Sequence, residues 1–150
     1  MTTQASSGGT RIVVGVDGSA QSGLALRWAV RISSATNASI DAVIAWHFPM
    51  SYGLGYVSDQ WDPETDATNC LKDAVDQAFG SEPPTGLRLL VRQGLPAKVL
   101  LDESNGATML IVGSRGHGGF VGMLLGSVSA TCAEHATCPV LLVHGDRPIR

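Results

Sequence analysis

An open, five-stranded parallel α/β sheet with helices on both faces is the fold class the sequence predicts, on three observations. Short β-branched or apolar runs alternate with longer stretches of helical period along the whole chain. Two of those runs, at 108–113 and 139–144, are almost uninterrupted, as befits parallel strands covered on both sides. The chain of 150 residues is 44% hydrophobic, enough for one compact domain with a real core.

Taken in order, Arg11 to Val16 is the first strand, closed by Asp17-Gly18-Ser19. A helix opens after Ser19, and Leu24, Ala25, Trp28, Ala29, Ile32 and Ala35 are expected to form its buried face. Leu26 and Val30 fall off that stripe. Ile40 to Trp46 reads as the second strand. Residues 47–62 have no clean period and are long for a connection, so a functional or mobile segment is expected there.

A second helix covers roughly 63–79, with Asp62 as N-cap and Pro63 in its first turn. Ala67, Leu71, Ala74 and Val75 lie on one side of it and Asp66, Asn69, Asp73 and Asp76 on the other. The alternation of Leu87, Leu89 and Val91 with Arg88, Leu90 and Arg92 predicts a strand near the sheet edge. Pro96 opens a short helix, 108–113 is the fourth strand, 127–136 is helical and 139–144 is the last strand. The expected domain is 11–146, with 1–10 a disordered lead-in and 147–150 a tail.

Composition excludes several functions. Net charge is -3 and the basic residues form no run, which argues against coating a nucleic acid. The apolar runs are far short of a membrane span, and the polar N-terminus has no signal-peptide pattern. Three cysteines, Cys70, Cys132 and Cys138, are too few for a disulfide framework, so free buried thiols and a cytoplasmic setting are expected.

In such sheets ligands bind beyond the carboxyl ends of the strands, where strand order reverses. With the first strand central and the order 3-2-1-4-5, that place lies between the ends of strands one and four. Asp17 follows strand one. Strand four runs into Gly113-Ser-Arg-Gly-His-Gly-Gly-Phe-Val-Gly-Met-Leu-Leu-Gly-Ser127, with six glycines. Such backbone approaches an anion closely, and a helix opening at Ser127 offers free N–H groups and a favourable dipole. The pattern predicts an anion or nucleotide site, the plain alternative being a loop that only packs tightly. It is not a Walker loop, since no Gly-Lys-Ser/Thr occurs, and no Gly-x-Gly-x-x-Gly follows the first strand.

The sequence resembles the nucleotide-binding subgroup of the universal stress proteins. Gly113-x2-Gly116-x9-Gly126-Ser127 matches that family's spaced glycine pattern without a gap. Val13-Val-Gly-Val-Asp-Gly-Ser19, Gly94-x-Pro96-Ala97 and Cys138-Pro-Val-Leu-Leu-Val143 support it. The resemblance covers roughly 11–144 and implies a Rossmann-like domain that binds an adenine nucleotide and forms a homodimer through its last strand. ATP is the nucleotide implied, with Mg held through the phosphates, and AMP or cyclic AMP are kept as variants. Carried over by position, it implies that Asp17, beside Gly15 and Val16, meets the ribose or the metal-phosphate end. The backbone near Ala45 would read adenine. Gly113, Gly116, Gly126, Ser127 and Val128 would hold ribose and phosphates, and Arg115 and His117 would add charge.

Plainer roles stand beside these. Asp17 is equally suited to an Asx-turn with Ser19 or to capping the first helix. Cys132, His135 and Cys138 lack a fourth ligand at suitable spacing, so buried packing is expected rather than a metal. Tyr52, Tyr56 and Trp61 suit surface packing or a dimer contact better than a lid. No catalytic constellation is present. The expected function is a dimeric, ATP-linked sensor or regulator of the stress response. The alternatives are a slow ATP-hydrolysing, phosphoryl- or adenylyl-transfer enzyme in the same pocket, and a non-binding dimeric interaction module.

Overall fold

The computed structural model describes residues 9–48, 61–116 and 125–145. Five strands alternate with four helices: β1 (Arg11–Gly15), α1 (Ala20–Thr36), β2 (Ser39–Trp46), α2 (Pro63–Phe79), β3 (Leu87–Gln93), α3 (Pro96–Ser104), β4 (Met109–Gly113), α4 (Ser127–His135) and β5 (Val140–Val143). The strands pair in parallel in the order β3-β2-β1-β4-β5, as expected from the sequence.

Strand period sorts the core into two layers. Ile12 and Val14 point toward α1 and α2, where they meet Leu26, Ala29, Leu71 and Val75. Val13 points the other way, toward Val99 and Leu100 of α3 and Cys132 of α4. The central strands β1 and β4 bury their three middle residues, which is why both read as unbroken apolar runs. β3 lies at one edge, as its arginines predicted, and leaves Arg88, Leu89 and Arg92 exposed.

The helix ends follow their capping chemistry. The Asp62 carboxylate accepts from the N–H groups of Glu64 and Thr65 and from Thr65 Oγ1, with Pro63 at the first helical position. These bonds, the Thr65 hydroxyl first among them, hold the Asp62 carboxyl below its ordinary value. Ser19 caps α1 by accepting from Ser22 N–H at 3.2 Å.

The buried face of α1 differs from the expected one. Ser22, Ala25, Leu26 and Ala29 are buried, whereas Trp28 is 40% exposed and Ala35 lies at the surface. The Ser22 hydroxyl donates to Ser19 O at 3.0 Å and accepts from Asp17 N–H at 3.4 Å. Ser22 thus faces the turn after β1, on the same side of the helix as the buried Ala25, Leu26 and Ala29. Trp28 is stacked by the Arg31 guanidinium at 5.2 Å from its ring centre instead.

Candidate functional site

β1 and β4 are neighbours whose connections lead to opposite sides of the sheet, so their carboxyl ends border a crevice. Val16 extends β1 by one step, its N–H donating to Val43 O at 2.8 Å. The chain then turns sharply at Gly18, whose φ of 83° suits glycine. Asp17 Oδ1 accepts from Ser19 N–H at 2.9 Å, forming the Asx-turn anticipated from the sequence.

The backbone after β4 passes directly over this carboxylate. A Cβ on Gly116 would collide with Asp17 Oδ2, the free end of a short side chain, so any larger residue there must push that carboxylate aside. Gly113 is confined more rigidly, because a Cβ there would lie 2.8 Å from Gln21 Cβ and 3.2 Å from the Arg115 carbonyl oxygen. Gly126 N–H donates to Ser114 O at 2.7 Å, and Ser129 Oγ donates to Gly113 O at 2.5 Å. The start of α4 is thereby strapped to the end of β4. No side chain caps α4, and the N–H groups of Ser127, Val128 and Ser129 have no acceptor within the helix. Their partial positive charge faces the crevice and favours an anion.

A cavity of about 370 Å³ fills the space between these elements, within the range of small-molecule pockets. Gly15, Val16, Asp17, Ala45, Gly113, Arg115, Gly116, Gly126, Ser127 and Val128 all line it. His117 lies outside the described residues. The lining is divided: Val43, Ala45, Pro96, Leu100 and Val112 form an apolar wall, and Asp17, Ser19, Arg115 and Ser127 form a polar one. The apolar wall continues the core layer of α3 and α4 to the surface. Such a division suits a ligand with a flat apolar part and an anionic part.

Several contributors escaped the sequence reading. Ser19, Ser22, Val43, Pro96, Leu100, Val112 and Ser129 also line the cavity. Strand period offered a signal for one of them, because Val43 lies on the same face of β2 as Ala45. Leu100 had none, since only the tertiary fold brings it against Gly15, where a Cβ would sit 2.8 Å from its Cδ1.

The cysteine and histidine residues near the carboxyl terminus do not assemble a site. Cys132 is buried, which pushes its thiol up to about 11, with a smaller contribution from nearby Cys138. Cys70 and Cys138 are only half-buried, rather than buried as expected. His135, also expected to be buried, is exposed; as the last residue of α4 it projects beside Glu134, 3.9 Å away. No group of metal-ligating side chains converges among the described residues. Tyr52 and Tyr56 lie outside those residues. Trp61 packs edge-on against Phe48 at 5.9 Å, donates to Asp66 Oδ2 at 3.1 Å, and is not part of the described cavity wall.

Fold and crevice together define a doubly wound α/β domain with a ligand-sized pocket at its switch point. The family model of the universal stress proteins matches residues 9–144, and the chain belongs to that family. A universal stress protein of Mycolicibacterium smegmatis is 34% identical over 143 residues, 90% of this chain and 48% of that protein. One from Mycobacterium tuberculosis is 34% identical over 136 residues, 87% of this chain and 44% of its own length. The chain thus spans about half the length of the curated relatives it matches.

Among solved structures, a universal stress protein in complex with cAMP superposes with a TM-score of 0.69 at 30% identity. The match covers 91% of this chain and 98% of that one. A universal stress protein from Lactobacillus plantarum shares the fold with a TM-score of 0.70 at 21% identity, over 89% of this chain and 97% of that one. No helix among the described residues is long and apolar enough to cross a membrane.

Proposed function

We propose that the chain binds an adenine nucleotide, ATP, as a ligand and works in the cytoplasm as a homodimeric, nucleotide-linked regulator of the stress response. One observation carries the reading: the uncapped start of α4, the glycine backbone of 113–116 and the Asp17 carboxylate converge on one cavity with an apolar wall opposite. A relative at 30% identity that was solved with cAMP supports the adenine part.

In this reading adenine lies against Val43 and Ala45, with backbone near Ala45 reading its edge. Asp17 faces the ribose or the metal-phosphate end. Gly113, Gly116, Gly126, Ser127 and Val128 hold ribose and phosphates, Ser127 through its hydroxyl and the others through main-chain N–H groups. Arg115 and His117 add positive charge, and Mg enters with the phosphates. The donor set suits the phosphate end, because backbone N–H groups at a helix start bind anions without a lysine.

The dimer forms through β5. That strand is a sheet edge made of Val140, Leu141, Leu142 and Val143, without a charge to discourage pairing. Nucleotide binds only the folded site, so a concentration 100-fold above Kd stabilises the chain by about 2.7 kcal/mol. Occupancy changes what the dimer presents to partners.

The test is mass analysis of what co-purifies, followed by calorimetric titration of the emptied chain with ATP, AMP and cyclic AMP. Tight one-to-one ATP binding, with the nucleotide recovered intact, supports the regulator. Conversion to ADP moves the reading to an enzyme, and indifference to all three leaves only the interaction module.

A further inference from the structure

Gln21 lies in the first turn of α1, yet its side chain sits where three backbone segments meet. Arg115 N–H donates to Gln21 Oε1 at 2.7 Å, and Ser114 Oγ donates to the same oxygen at 3.2 Å. A backbone N–H can only donate, so the amide oxygen is fixed on that side and Nε2 is turned toward Gly145. The stem is packed as closely as the head. A Cβ on Gly113 would lie 2.8 Å from Gln21 Cβ, and one on Gly145 would lie 2.8 Å from Gln21 Cγ.

Ser114, the residue so held, is buried and is itself a junction. Its N–H donates to Val143 O in β5 at 2.8 Å, and its carbonyl accepts from Gly126 N–H, just before α4, at 2.7 Å. One side chain of α1 therefore grips the turn after β4, which is itself hydrogen-bonded to the end of β5 and to the residue before α4. The next residue but one, Gly116, is the one whose backbone crosses Asp17.

We infer that Gln21 is a positioning residue, holding the Ser114–Arg115 turn in the shape that receives the phosphate end of the ligand. This inference rests on the nucleotide reading of the same cavity. Removal of the acceptor leaves the exposed Arg115 N–H to water and the buried Ser114 hydroxyl without its partner, so the turn gains freedom at a modest cost in stability while the fold survives. Ligand binding must then order the turn, and affinity falls.

Two isosteric variants separate the acceptor from the packing. Gln21→Met keeps the stem and removes the oxygen, while Gln21→Glu keeps an acceptor at the same reach. Amide exchange at Arg115 is followed in the nucleotide-free chain, and ATP affinity by calorimetry at salt high enough to screen the added charge. Gln21→Met is expected to speed Arg115 exchange, weaken ATP roughly tenfold and lower the melting temperature only modestly, by the loss of the Ser114 bond. Gln21→Glu is expected to restore slow exchange and most of the affinity, a rescue that lost packing does not give. Wild-type exchange and affinity in Gln21→Met overturn the inference, and so does a Gln21→Glu chain as impaired as Gln21→Met. A wild-type chain that binds none of ATP, AMP and cyclic AMP, while Gln21→Met still speeds Arg115 exchange, leaves the anchor standing and removes the nucleotide reading.

Discussion

The two ends of the sheet treat polar groups in opposite ways. At the amino end Asp41, 1% exposed, is held by Arg88 Nε and Nη2, each at 2.8 Å, with Arg11 Nη1 at 3.6 Å. Arg11 also donates to Glu103 O at 2.8 Å and Asn105 O at 3.2 Å, so it ties β1 to the end of α3. The fork-on-carboxylate geometry raises the Arg88 pKa further above its ordinary value, through the Asp41 hydrogen bond first and its charge second. At the carboxyl end there is no such closure. Glycine backbone, an uncapped helix start and a carboxylate with one oxygen engaged surround an open cavity. Stability and recognition are thus assigned to opposite ends of the same strands.

Breaking the amino end should cost the most. Asp41→Ala leaves the half-buried Arg11 without a counter-charge, held only by the Glu103 and Asn105 carbonyls, while Arg88, 63% exposed, falls back on water. A loss of about 2–3 kcal/mol is expected by urea unfolding, less than for a fully buried pair because Arg88 is largely exposed. The folded fraction should still bind ATP normally. A variant as stable as wild type would show that the pair is only ornamental to the fold.

Gly116→Val attacks the other end. The new side chain collides with the Asp17 carboxylate, so ATP affinity should fall at least about 100-fold, or about 2.7 kcal/mol. Because the loop is at the surface, the nucleotide-free melting temperature should barely move. Loss of folding in that variant would erase the contrast between the two ends.

Ser127→Ala sharpens the comparison with a smaller effect. It removes one hydroxyl while the first-turn N–H groups of α4 remain, so ATP should weaken by roughly fivefold to tenfold. AMP should be less affected if the hydroxyl meets the outer phosphates.

The smallest effect concerns a cap away from both ends. The folded Asp62 carboxyl titrates below its ordinary value of 3.8, so its contribution to stability is present above that pH and fades as pH falls through the folded value. Asp62→Ala should lower the melting temperature slightly at pH 7. The two proteins should converge as pH drops below about 3.8, whereas a constant gap would assign the difference to something other than charge.

The alternation of elements was legible because each carries local punctuation: Asp17-Gly-Ser19, Asp62-Pro63, Pro96 and the glycines around 113–126. Five of the cavity-lining positions, Gly15, Asp17, Gly113, Gly116 and Gly126, stand out as glycine or acid after apolar strands, and the family resemblance implied Ala45, Ser127 and Val128. The rotation of α1 was not. Its helical stripe holds small alanines on several sides, so hydrophobic period alone does not say that Leu26 turns inward and Trp28 outward. The Asp41–Arg88 pair and the grip of Gln21 on Arg115 depend on register and on the meeting of distant segments. No local pattern announces either.

The most direct measurement of the central claim is calorimetric titration of ATP into the nucleotide-free chain and into Gly116→Val. Saturable one-to-one binding to the wild type, lost in a Gly116→Val chain that melts at the same temperature, is the predicted result. Equal binding by both chains, or no heat from either, would contradict the assignment of the carboxyl end to nucleotide.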